Sequence, residues 1–374
     1  MKQCSYGTMR YFVFALIALS AAIGINGSGV RGADDLMAEL RSYPYRIVYE
    51  TYREGNWELF SIKADGSEPI NLTRTPDVHE LYPHGSPDGT RIVFVVDETA
   101  GGEKIRNVYL MNMDGSDRQR VATNARQPCW DGRGEVIAYL RGESDRFRYT
   151  DYATRGLFFY DLRTGEHRAH PNVELRHLYS TCWSPDGRWL VATVHAGMGY
   201  RHAIVAIEAE GQRVVNLQIP GCRPDISPDG RRVAWGASDW VLCVGDLAFT
   251  DGTPRVVNVR DVVRSEKPME VYHVDWSPDG KYLAFSRGPA GKRMGRIPEI
   301  VGVPATGWNI CVADAAATNR WVPLTTDGNC NKEPDWMPVA GSSPVTAPGR
   351  PSRSPGTPGR SPAGSEPAGH WHSR

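Results

Sequence analysis

The chain has 374 residues, enough for one large domain or two ordinary ones. Its 43 Lys and Arg balance 43 Asp and Glu, and no basic cluster breaks the balance, which removes the electrostatic case for a nucleic-acid partner. Plentiful Gly (39), Tyr (16) and Trp (11) suit many short strands joined by tight turns.

In chain order, the first segment reads as an address. Lys2 and Arg10 precede an apolar run over residues 11–25, and the small residues Gly27, Ser28, Gly29, Gly32 and Ala33 follow. That order is the pattern of a secretory signal peptide. The run is shorter than the ~20 residues of a membrane-spanning helix, so no span is expected once the segment is cleaved. Cleavage fits after Ala33 or after Gly29, and an uncleaved anchor is the alternative. Cys4 lies before the apolar run, where a lipoprotein cysteine does not sit. The expectation is an exported protein, periplasmic or extracellular, with a signal peptide over 1–33 and a short lead over 34–41.

One phrase then recurs. It reads YPHGSPDGTRIVF over 82–94, STCWSPDGRWLVA over 180–192, RPDISPDGRRVAW over 223–235 and HVDWSPDGKYLAF over 273–285. A degraded copy, QPCWDGRGEVIAY, spans 127–139, and a truncated one, EPDWMP, spans 333–338. Gly89, Gly134, Gly187, Gly230 and Gly280 mark a period of roughly 43 to 53 residues, the length of a four-stranded propeller blade. Each phrase makes sense as a hairpin. Pro presets φ, Asp bonds its own backbone, and Gly accepts positive φ. An apolar strand follows, as in RIVFVV over 91–96, then a third strand such as NVYLMNM over 107–113 or WNICVAD over 308–314. A second turn (Asp65-Gly66, Asp114-Gly115, Asp251-Gly252) leads to a polar fourth strand such as residues 68–73.

The two ends of the array complete each other. Residues 45–73 supply strands two, three and four, and residues 333–338 supply a first strand with nothing after it. The expected fold is therefore all-β over 42–340: a six-bladed β-propeller of four-stranded antiparallel blades, closed by pairing the C-terminal strand with the N-terminal blade. Closure removes an open sheet edge. Residues 341–374 are rich in Pro, Gly, Ser and Arg, with little to bury, and are expected to be a disordered tail.

The phrases PDISPDGRRVAW and HVDWSPDGKYLAF resemble the WD-repeat-like propeller repeats of the TolB family, and the likeness covers about residues 42–338. The resemblance implies the propeller fold. It leaves function open, because the same repeat serves Tol–Pal assembly proteins, peptidase propellers and oligogalacturonate lyases. TolB itself has an α/β domain before its propeller, and the expectation here is a propeller without it.

In a propeller the first strand of each blade lines the axis. The position before Ser-Pro-Asp-Gly indexes equivalent sites: Gly85, Trp130, Trp183, Ile226, Trp276 and Trp336. Three residues earlier lie Tyr82, Gln127, Ser180, Arg223, His273 and Glu333, a polar set expected to line a hydrated channel. Six residues earlier lie His79, Asn124, His177, Pro220, Glu270 and Cys330, expected to ring its mouth. The candidate binding residues are thus His79, Tyr82, His177, Arg223, Glu270, His273, Cys330 and Glu333. His79, His177, Glu270 and Cys330 carry donors suited to a transition metal, but polar residues line any hydrated channel and no ligand spacing supports a metal. No cofactor is expected. Arg223 is the best anion anchor, with an ion pair to Glu333 or Asp225 as its alternative.

Enlarged turns at 98–106, 142–155, 195–202 and 287–307 share the face of the channel mouth, and long loops on a rigid scaffold tend to carry function. The last carries Lys292, Arg293 and Arg296. Of the six cysteines beyond the leader, repeat alignment disfavours most pairings, so mainly buried thiols are expected; Cys222–Cys330 is the least implausible bridge. No Ser/His/Asp triad, phosphate loop or paired-carboxylate motif is legible. The expected function is a monomeric, exported binding module that takes a protein, peptide or glycan at the insertion-bearing face. The alternative is a metal-assisted enzyme on an anionic saccharide, like the lyase relatives.

Overall fold

The structure is a computed structural model that describes residues 28–291 and 295–339. Six four-stranded antiparallel sheets form a ring. The composite blade holds β1 (Tyr45–Arg53), β2 (Asn56–Lys63) and β3 (Ile70–Asn71). The second holds β4 (His79–Gly85), β5 (Arg91–Ala100), β6 (Glu103–Asn112) and β7 (Gln119–Ala122). The third is β8 (Ala125–Trp130), β9 (Val136–Gly142), β10 (Thr154–Asp161) and β11 (His167–Ala169). The fourth is β12 (Leu178–Trp183), β13 (Trp189–Gly197), β14 (Tyr200–Glu208) and β15 (Val214–Asn216). The fifth is β16 (Cys222–Ile226), β17 (Arg232–Ser238), β18 (Val241–Thr250) and β19 (Thr253–Arg264). The sixth is β20 (Met269–Trp276), β21 (Tyr282–Pro289), β22 (Asn309–Asp314) and β23 (Trp321–Pro323).

The last strand, β24 (Cys330–Pro338), returns to the composite blade as its innermost strand, in the order β24-β1-β2-β3. Ile47 pairs with Trp336 and Arg46 with Met337, so the ring closes where the split repeat places the join.

The recurrent turn explains its own residues. Gly89, Gly187, Gly230 and Gly280 all sit at φ near +70°, where a side chain is strained. The Ser hydroxyl takes the backbone N–H five residues on: Arg91 to Ser86, Trp189 to Ser184, Arg232 to Ser227 and Tyr282 to Ser277, each 2.9 Å. In the degraded copy Asp131 takes over, accepting from Val136 N–H at 2.9 Å.

Apolar clusters lie between facing sheets. Val191 and Ile204 of the fourth blade meet Val233 and Trp235 of the fifth. Ala234 and Leu242 of the fifth meet Leu283 and Phe285 of the sixth.

Ahead of the ring, Ser28–Arg41 forms helix α1, so the segment expected to be a short lead is a packed element. Leu36 and Leu40, one turn apart, are fully buried against Ile47, Ile62, Tyr282, Ile310 and Trp336. Those residues belong to the composite and sixth blades, so α1 bridges the junction between them. Glu39 holds Arg320 at 2.6 Å, and Tyr282 donates to Glu39 at 2.9 Å. The expected signal sequence up to residue 27 and the tail from residue 341 lie outside the described residues. Among the described residues no helix is long and apolar enough to cross a membrane.

Candidate functional site

The inner strands all break their ladder at one equivalent position. Tyr82, Gln127, Ser180, Arg223, His273 and Glu333 have φ between +48° and +57°, and a register shift accompanies each. This is a sixfold-repeated β-bulge built from non-glycine residues, a backbone state costing ~1–3 kcal/mol each and held by its surroundings. Side chains capture several of the freed N–H groups. Tyr82 N–H donates to Glu50 at 2.9 Å, Arg223 N–H to Thr193 at 2.8 Å and Glu333 N–H to Ser286 at 3.1 Å. Pro follows the bulged residue at Pro83, Pro128, Pro224 and Pro334, where no ladder donor is needed.

These six side chains were expected to line a hydrated channel, and instead they fill it. All are buried. Arg223 reaches Asp151 at 3.1 Å and Glu333 at 3.4 Å, and also donates to the Glu299 carbonyl at 2.8 Å. His273 meets Glu333 at 2.5 Å and packs edge-on against Tyr82. Arg223 is therefore internally paired, its guanidinium committed to groups of its own chain. Burial works against Glu333's charge, yet His273 and Arg223 hold its carboxyl down to about 2.

Beneath this layer the enlarged turns plug the axis. Residues 298–305 pack against the inner strands, burying Val301, Val303 and Ala305. Lys332, itself buried, donates to the carbonyls of Pro298, Ile300 and Val303 at 3.0, 2.9 and 3.2 Å. From the turn at 142–155, the carbonyls of Arg148 and Thr150 accept from Arg126 at 3.1 and 3.0 Å, and Asp151 meets Arg223. The face expected to receive a ligand is thus where the protein caps its own channel: carbonyls on both insertions satisfy cations that a hydrated mouth would have left to water.

The mouth residues are dispersed into local networks. His79 bonds Asn56 at 2.7 Å. His177 bonds the Ala196 carbonyl at 2.7 Å and Glu143 at 3.0 Å. Burial, with Glu299 and Asp239 nearby, raises the Glu270 pKa to about 7. Cys330 is buried and accepts from Ala305 N–H at 3.2 Å. No grouping of three or more metal-type ligands occurs among the described residues, and Cys129, Cys182, Cys222, Cys243, Cys311 and Cys330 are all free thiols. Arg296 stacks on Tyr149, 4.0 Å from its ring centre, while Lys292 and Arg293 lie outside the described residues.

An open, tryptophan-lined site lies on the opposite face, among the Ser-Pro-Asp-Gly turns. A funnel of about 220 Å³ descends there toward the axis. Its wall carries Trp130, Trp183, Trp276 and Trp336, and its rim the turn prolines Pro87, Pro185, Pro228 and Pro278 with Pro338. Its floor is the ring one residue before the index position: His84, Cys129, Cys182, Asp225, Asp275 and Asp335. Asp131 adds a further carboxylate, and no Lys or Arg lines it among the described residues.

The same groups latch the blades. Asp225 accepts from Trp276 N–H at 2.9 Å, Asp275 from Trp336 N–H at 2.6 Å and Asp335 from Gly85 N–H at 2.8 Å. Trp130 and Trp276 donate their indole N–H to carbonyls of the preceding blade, His84 at 2.9 Å and Asp225 at 3.3 Å. Gly85 replaces tryptophan in the second blade because Met337 fills the space, 2.7 Å from where a Cβ would stand. His84 bonds Asp335 at 2.8 Å. Burial and the neighbouring Asp335 and Asp225 push Asp275 well above the usual carboxylate range, and burial raises Asp225 likewise. Burial opposes the charge on His84, but Asp335 beside it raises its pKa overall. The floor sets three carboxyl groups against one imidazole, with no Lys or Arg among the described lining residues.

The index tryptophans were legible as an alignment marker, but their part in a cavity was not. The available signal was the run of Asp at 225, 275 and 335 immediately before Ile226, Trp276 and Trp336.

Six radial sheets, a split closing blade and a plugged axis define a closed six-bladed β-propeller with a funnel on its turn face. No family model matches the chain. Over 105 residues it is 35% identical to a Protein TolB homolog of Chlorobium luteolum, covering 28% of this chain and 23% of that protein. Over 130 residues it is 30% identical to a Protein TolB homolog of Chlorobaculum tepidum, covering 32% and 28%. The matches thus span roughly a quarter of the length of these curated relatives. Among solved structures, TolB from Acinetobacter baumannii superposes with a TM-score of 0.56 at 16% identity, over 83% of this chain and 72% of that one. Hydrazine synthase of Kuenenia stuttgartiensis gives 0.54 at 11%, over 82% and 48%. At these identities the structural likeness speaks to fold. The chain is a TolB-like six-bladed β-propeller.

Proposed function

We propose that this propeller is an exported binding module that takes a cation-bearing peptide segment of a protein partner in the funnel on its turn face. The observation that carries the reading is the lining: four tryptophans around four carboxylates, with no Lys or Arg among the described lining residues. Aromatic faces and carboxylates attract ammonium and guanidinium groups together, and the attraction grows where water is excluded. At about 220 Å³ the funnel is smaller than the ~300–1,000 Å³ of most small-molecule sites, so it suits one or two side chains of a longer ligand. Rigid turns form the rim, so little ordering cost is incurred on binding. Export rests on the charge, apolar and small-residue order of residues 2–33.

The test is calorimetric titration with an Arg-containing peptide, the same peptide with Gln in place of Arg, and a neutral oligosaccharide. The Arg peptide should bind. Replacing Arg by Gln, or Trp183→Ala in the protein, should weaken it about tenfold or more, the scale of one lost desolvated cation–π contact plus its charge pairing. Equal binding of Arg and Gln peptides, or preference for the oligosaccharide, would sink this reading.

A further inference from the structure

The chain leaves the ring at the funnel itself. The last strand, Cys330–Pro338, ends on the turn face, with Pro338 on the funnel's rim and Trp336 and Asp335 in its lining. The Pro338 carbonyl sits against the turn of the second blade, 2.2 Å from where a Cβ on Gly89 would stand. Everything beyond Val339 therefore starts beside the mouth of an acidic, tryptophan-lined cavity.

The sequence beyond it is matched to that cavity. Residues 350–360 read RPSRSPGTPGR. Arg350, Arg353 and Arg360 supply cations, and Pro351, Pro355 and Pro358 supply flat apolar faces of the kind that dock in aromatic grooves at low entropic cost. Glu366 is the one carboxylate side chain in residues 341–374. With roughly ten residues between Val339 and Arg350, at up to about 3.5 Å each, the segment has ample reach to the funnel.

We propose that residues 350–360 are an intramolecular ligand of the funnel, seating arginine between the tryptophans over Asp225, Asp275 and Asp335 and competing with the external partner. This rests on the binding reading above. A tethered segment faces its site at an effective concentration of about 1 mM, so a segment with a Kd of ~0.1 mM occupies the site about nine-tenths of the time and weakens an external competitor about tenfold.

The experiment titrates the free peptide RPSRSPGTPGR into two full-length chains, the natural one and the variant carrying Arg350→Ser, Arg353→Ser and Arg360→Ser. The substitutions touch no residue of the ring. The variant should bind the peptide about tenfold more tightly than the natural chain. Equal, measurable affinities would overturn the self-occupancy while leaving the funnel as a binding site. No binding to either chain would overturn the funnel reading and this inference with it. A photo-cross-linker at Ser354 in the full chain gives an independent readout. Cross-links within one chain to segments bearing Trp130, Trp183, Trp276 or Trp336 are expected. Cross-links to the outer surface, or only between chains, would overturn the proposal.

Discussion

Asp225, Asp275 and Asp335 do two jobs with one carboxylate each. Each latches the next blade by a backbone N–H, and together they make the funnel acidic. Crowding them has a consequence for stability. Asp275 and Asp225 have raised pKa values, so the folded chain keeps protons that the unfolded chain releases near pH 4. Their contribution is full below that pH and declines as pH rises. His84, also raised, contributes fully below about pH 6.5 and loses that contribution above it. Glu333 acts in the opposite sense, but its contribution disappears only as pH falls toward about 2. Between pH 5 and pH 8 the melting temperature should therefore fall. Asp275→Asn, which keeps an acceptor for Trp336 N–H, should flatten that fall. Thermal melts across this range check both, and a melting temperature that rises from pH 5 to 8 would contradict the assignment.

At the scale of elements, helix α1 departs most from expectation. The 34–41 segment has no Ser-Pro-Asp-Gly turn and no alternating pattern, and it follows a targeting-like sequence, so it read as a connector. What it has is Leu36 and Leu40 one turn apart, a spacing that means little until a groove exists to receive it. The groove is the seam between the composite and sixth blades, built from Ile47, Ile62, Tyr282, Ile310 and Trp336. Leu36→Ala should lower stability by ~2–5 kcal/mol, as burial in a formed core implies. A urea denaturation midpoint unchanged by the substitution would mean that the helix is not part of the fold. The enlarged turns repeat the lesson in reverse. Their length was legible and suggested a ligand face. Their carbonyls instead accept from the buried cations Lys332, Arg126 and Arg223.

For the whole molecule, closure is the central fact. The strand that completes the ring comes from the far end of the described chain and pairs with β1 along most of its length. A chain ending before Cys330 would leave β1 with an open edge and the apolar faces of Ile47 and Met337's pocket exposed. It should aggregate or form oligomers, seen as loss of the monomer peak in size-exclusion chromatography. A monomeric, natively melting truncation would show that the ring does not depend on the clasp.

The blade count, the turn chemistry and the site of closure were all readable in the chain, because each is local or periodic. Ser-Pro-Asp-Gly encodes its own turn, and two half-repeats at opposite ends can complete only each other. The alignment also put Tyr82, Arg223, His273 and Glu333 at one equivalent position of the inner strands, where the structure brings them together. Whether these groups face water or one another depends on what arrives from elsewhere. Asp151, Glu299 and the carbonyls of 298–303 come from insertions with no repeat to index them. The leading clue to the bulge, Pro after the channel residue, was present at Pro83, Pro128, Pro224 and Pro334 but has meaning only inside a ladder. Which face stays open was decided by tertiary packing, since the same long turns that advertise a binding surface can equally fold inward and close it. Here the insertions that carry Asp151 and the 298–303 carbonyls do so over the axis, and the short turns frame the funnel.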